Sequence, residues 1–219
     1  MFRLTATITF LATFAVLLLY CIVSPCSSEC RWTPKGIFKR LVHLFTLIFL
    51  EQKLSLVGIL RKLVYLLALL CFVVLAVTGF YPLLVLNKHI SGYFVMVHAT
   101  FAPVFAVCLA VLAVMSAGSS KLNKADFPLL QRILRRVARL KIALEEVPSR
   151  SHLLAQKIAF WLIIFLALPL ILSIVLSMFR FFGTGWQEFL LAAHRWTALT
   201  FAVVVIIHTY LIVRAQMRQ

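Results

Sequence analysis

A chain of 219 residues that is 63% hydrophobic, with a mean hydropathy of +1.06, has too few polar side chains to cover a soluble globule and belongs in a membrane. Its net charge of +16 could suit a nucleic acid, but the basic residues gather at the ends of apolar runs instead of forming a binding stripe, which argues against that partner. Anionic lipid headgroups are the natural partners of this charge.

Five uncharged runs are long enough to cross about 30 Å of hydrocarbon as helices: residues 4–23, 63–86, 90–120, 158–179 and 196–213, the last extended backwards by 189–194. Backbone polar groups at that depth must be satisfied within each helix, which excludes open sheets. The first run follows Arg3 and precedes small residues near Ser24, so it has some features of a signal peptide; its length and the basic segment behind it favour a retained helix. Residues 1–30 are read as an N-terminal transmembrane segment. Cys21, Cys26 and Cys30 do not form a CxxCH haem-attachment motif, and Cys71 and Cys108 stand alone within later runs.

Residues 31–60 contain "GIFKRLVHLFTLIFLEQK", which mixes basic and apolar residues around a core too short to span, as expected of a helix lying in the membrane interface. Residues 61–219 then hold four helices, with a second amphipathic helix predicted over 126–147. Asp126 can cap that helix, and Leu130, Ile133, Leu134, Val137, Leu140 and Leu144 form its apolar stripe opposite an arginine run. Basic residues crowd the segments before 63, between 120 and 158, and at the C-terminus, whereas the opposite connections hold little more than Lys88 and Arg180. The positive-inside rule places the crowded side in the cytoplasm and the N-terminus outside, as in a multi-pass protein of a bacterial-type inner membrane.

The expected fold class is therefore all-α: an integral membrane four-helix bundle, an extra N-terminal transmembrane helix and cytoplasmic interfacial helices. In that topology His98 and His194 lie at similar depth on the outer side, and His208 lies near the inner end of the last helix. His194 and His208 are fourteen residues apart, which on a helix is about 1400° of rotation and about 21 Å of rise, so both face the same way at two levels. Ionisable side chains at such depths usually turn inward to a functional partner. Paired histidines on facing helices are how a bundle holds haem. His98, His194 and His208 are thus candidate iron ligands; Gly79 is a candidate for clearance beside a flat macrocycle, and Arg195 for pairing with a propionate. His89 is expected to be exposed. A haem-free alternative, a transporter or assembly anchor binding metal or protons, suffers from the scarcity of carboxylates, six in all. No Gly-rich phosphate loop occurs, since "FGTGW" at 182–186 lacks the following Lys and Ser or Thr.

Residues 60–215 resemble the membrane cytochrome b subunits of formate dehydrogenases, nickel-iron hydrogenases and thiosulfate reductases. The likeness rests on "FVVLAVTGFYP", "GYFVMVHATFAPVFA" and "HRWTALTFAVVVIIHTY". It implies an electron-transfer subunit working between the quinone pool and a redox partner subunit through haem b, with His98 and His194 ligating an outer haem and His208 an inner one. The family's fourth ligand is expected near the start of the first bundle helix, where this chain has Val64 and Tyr65. His43, His152 and Tyr65 are the candidate replacements; otherwise the inner site lacks haem and His208 hydrogen-bonds a quinone.

Overall fold

The structure, a computed structural model, describes residues 1–23, 56–123, 126–128, 131, 149–179 and 183–216. Five long helices run through them: α1 (Phe2–Val23), α2 (Leu56–Leu84), α3 (Tyr93–Ala117), α4 (Ser149–Ser177) and α5 (Thr184–Gln216). All five are long and apolar enough to cross a membrane, and no strand occurs among the described residues. The chain is an all-helical, multi-pass membrane protein. The interfacial segment 31–60, apart from its last five residues, and most of the amphipathic helix 126–147 lie outside the described residues.

Four helices begin before the uncharged runs that announce them: α1 at Phe2, α2 at Leu56, α4 at Ser149 and α5 at Thr184. An uncharged run marks the stretch that needs hydrocarbon around it, whereas helical hydrogen bonding continues through flanking polar residues whose long side chains reach out to water. Arg61 and Lys62 are therefore helical.

The chain divides into two compact units, the first made of Met1–Met115 with Gln216 and the second running from Ser116 to Ala215. In the first, α2 and α3 form an antiparallel hairpin. Phe72 meets Phe105, Thr78 meets His98 and Tyr81 meets Phe94, contacts that run in opposite chain order. The buried positions explain the pairing. On α3 they are Phe105, Cys108, Leu109 and Leu112, the i, i+3, i+4, i+7 stripe of one helix face; on α2 they are Ala68, Cys71, Thr78 and Pro82, small side chains that let backbones approach. The connecting turn uses left-handed backbone at Asn87 (φ 53°) and Gly92 (φ 57°), and the Lys88 N–H returns to the Pro82 carbonyl at 3.0 Å. Helix α1 packs on α2, with the Phe10 and Phe80 rings edge to face at 5.0 Å.

In the second unit α4 and α5 are likewise antiparallel. Gln156 on α4 donates to the Leu211 carbonyl on α5 at 3.0 Å, and near the other end Gln187 donates to the Ser177 carbonyl at 3.3 Å. Leu154, Ala159, Ile163 and Ala167 are buried on α4, and Leu190, Leu199, Phe201 and Ala202 on α5. Lys157 near the start of α4 is tied to Asp126 by a 2.9 Å ion pair, and the Trp161 indole donates to the Ser120 carbonyl at 2.9 Å. Asp126, expected to cap the amphipathic helix, also accepts from the Asn123 N–H at 2.9 Å.

Candidate haem site

His98 sits in the second turn of α3, its ring half-buried against α2. Its Nδ1 lies 2.9 Å from Thr78 Oγ1. A hydroxyl has one proton to give, and Thr78 directs it to the Val74 carbonyl at 2.7 Å, with Leu75 a longer second acceptor at 3.3 Å. With the proton so placed the oxygen is an acceptor toward His98, and the matching tautomer has the proton on Nδ1 and the lone pair on Nε2. Gly79, the next residue, leaves space for this ring: a Cβ there would stand 3.3 Å from His98 Cε1. Pro82 has no N–H to offer the Thr78 carbonyl, and Pro103 none for that of Ala99, so each helix of the pair lacks one ladder bond beside this contact.

His194, in the second unit, reaches a similar state by a different route. Its Nδ1 lies 3.0 Å from the Leu170 carbonyl oxygen on α4. A carbonyl can only accept, so Nδ1–H donates and Nε2 again holds the lone pair. Ser173 also donates to the Leu170 oxygen, at 3.0 Å, using its second lone pair. A histidine that ligates a metal characteristically gives its other ring N–H to a carbonyl, carboxylate or comparable acceptor, which fixes the tautomer and aims the ring. His98 and His194 are both arranged in that way, and ligation of iron by either ring falls to Nε2.

His208 is arranged differently. Helix α5 is unbroken from His194 to His208, so the fourteen-residue interval keeps both on one helical face. The His208 Nδ1 is buried with no hydrogen-bond partner among the described residues. No acceptor thus fixes its tautomer in the way that the Leu170 carbonyl fixes that of His194. The neighbouring turns of α5 are polar for a membrane helix. Arg214 is 2% exposed and donates to the Tyr210 hydroxyl at 3.0 Å, and Gln156 reaches the Leu211 carbonyl close by.

The remaining candidates divide simply. Arg195 and His89 are exposed, and Val64 and Tyr65 lie half-buried within α2. His43 lies outside the described residues, as does the side chain of His152, whose backbone belongs to α4. Among the described residues no group of three or more His, Cys, Asp and Glu side chains is placed to hold a bare metal ion. Haem iron asks less of a protein, because the macrocycle supplies four of its ligands and two histidines complete it. Sequence reasoning missed Thr78 and the Leu170 carbonyl. The first lies inside the quoted "VTGFYP" but can satisfy itself within its own helix; the second is backbone and has no signature.

The profile of the prokaryotic cytochrome b561 family matches residues 66–219, from the first turns within α2 to the C-terminus. The chain belongs to this family. Neither the curated proteins nor the solved structures yield a match. As a prokaryotic cytochrome b561 it is a membrane-bound b-type cytochrome that binds haem b and carries electrons. Helix α1 and the residues up to 65 lie outside the matched part.

Proposed function

We propose that this cytochrome exchanges electrons between the quinone pool and a redox partner subunit, using one haem b with His98 and His194 as its axial ligands. The observation that carries the reading is the shared contact: Thr78 Oγ1 and the Leu170 carbonyl oxygen each lie within hydrogen-bond distance of a histidine Nδ1, the arrangement that turns Nε2 toward iron in metal-ligating histidines. The haem, when bound, supplies one-electron transfer between ferric and ferrous iron. The protein's part is to fix the two rings, to set the dielectric around them with apolar helices, and to leave room beside His98 at Gly79. Arg195, adjacent to His194 and exposed, is the cation offered to a propionate.

His208 takes the quinone in this reading. With its Nδ1 buried and without a partner among the described residues, the ring is assigned Nε2–H, which suits a quinone carbonyl oxygen better than iron. The absence of a histidine at Val64 and Tyr65 agrees with this assignment. The basic side of the membrane, with the C-terminus, is cytoplasmic and the N-terminus is outside, so quinone exchange occurs toward the cytoplasmic face.

Pyridine haemochrome on the purified protein tests the proposal directly. One haem per chain is expected, with a reduced-minus-oxidised b-type spectrum. Two per chain would return His208 to the ligands and make His43, His152 or Tyr65 its mate. Among the described residues nothing favours the transporter or anchor alternative.

A further inference from the structure

Three polar side chains in the described spans are buried: Thr78, Ser173 and Arg214. Ser173 bonds within its own helix to the Leu170 carbonyl, and Arg214 reaches back one turn to Tyr210. Thr78 reaches another helix. A threonine in a membrane helix has no need to do so, because its hydroxyl can return to the carbonyl four residues earlier, as Thr100 does to Met96 and Thr200 to Trp196. Thr78 makes that bond as well, at 2.7 Å to Val74, and its oxygen then faces His98 Nδ1 at 2.9 Å. A hydroxyl that is donating is polarised and becomes a better acceptor, so the two bonds strengthen each other in a low-dielectric setting.

We infer that Thr78 is a positioning residue that acts through His98 to hold the haem and set its midpoint potential. This rests on His98 being an axial ligand, as proposed above. The oxygen of Thr78 draws on the Nδ1–H bond, which leaves more electron density on Nε2. A more electron-rich axial nitrogen stabilises ferric over ferrous iron and lowers the potential. The two axial rings thus rest on unequal acceptors: a hydroxyl for His98, whose loss by substitution is simple, and a backbone carbonyl for His194, which no side-chain change removes. Gly79 keeps the adjacent space open so that the ring can reach the hydroxyl.

The test uses the full-length protein in membranes or nanodiscs, with Thr78→Val, which keeps the shape and deletes the hydroxyl, and Thr78→Ser, which keeps the hydroxyl. Haem content, redox titration of the b band and the low-spin ferric EPR signal are measured together. Thr78→Val is expected to weaken haem retention by about ten- to a hundredfold. In the haem that remains, it is expected to shift the ferrous preference upward on the order of tenfold, ~59 mV for one electron, with altered EPR g values. Thr78→Ser is expected to match the wild type. An unchanged potential and EPR signal in Thr78→Val overturns the inference while leaving the haem assignment intact. A wild-type protein without any b-type spectrum overturns both. Should Thr78→Val fail to accumulate, Thr78→Cys, whose sulfur is a weak acceptor, is expected to raise the potential by a smaller amount, and no rise there is equally fatal.

Discussion

The imidazole of His98 leans on bare backbone at Gly79, where an added Cβ would stand 3.3 Å from Cε1 and 3.7 Å from Nδ1. Gly79→Ala sets two effects against each other. Alanine in a helix interior is favoured over glycine by about 1 kcal/mol, whereas the methyl crowds the ring away from Thr78. The expected result is a chain at least as resistant to thermal unfolding but holding less haem. Gly79→Val, with more bulk, is expected to lose both, by about 1–3 kcal/mol in stability. Haem content per chain and the thermal midpoint, measured on the same samples, check the pair.

His98→Ala and His194→Ala are each expected to abolish the b-type spectrum while the protein still accumulates in the membrane. A normal haem content in both variants would refute the axial assignment.

The contrast with His208 gives a sharper expectation. On the proposed reading, in which His208 hydrogen-bonds the quinone, His208→Ala is expected to retain one haem per chain. Its effect belongs in the kinetics: a rise in KM for quinol on the order of tenfold, from the loss of one hydrogen bond to a carbonyl, each tenfold being about 1.4 kcal/mol. Loss of haem in this variant would instead make His208 a ligand.

At the start of α4, Asp126→Asn breaks the ion pair with Lys157. The side chains are 22% and 21% exposed, so the pair is partly screened, and the expected cost is at most about 1 kcal/mol. A small fall in the thermal midpoint with haem content and spectrum unchanged is the outcome that fits an anchoring contact.

How much of this was legible in the sequence depended on whether a side chain had to announce its role. Apolar length and charge placement defined the five spans because hydrocarbon admits few alternatives. Helix ends escaped that logic, and α5 begins at Thr184 because polar residues can remain helical beyond the apolar core. His98, His194 and Gly79 could be singled out, since an imidazole in a span is costly and a glycine there is conspicuous. Thr78 was not, because serine and threonine are ordinary in membrane helices and usually satisfy themselves locally. Arg214 read as one more basic residue at the cytoplasmic end, yet it is buried and bonded to Tyr210 four residues before it, a contact that only the packing of α5 reveals. The difference between His208 and the other two histidines was also hidden, since it lies in what their Nδ1 atoms meet.

Each orienting bond is internal to one helical hairpin: Thr78 and His98 belong to α2 and α3, Leu170 and His194 to α4 and α5. Membrane proteins enter the bilayer progressively as they are synthesised, and a ring aimed by its own hairpin can be aimed as soon as that hairpin is inserted. Each of the two contacts therefore needs only its own hairpin, and neither depends on the other having formed.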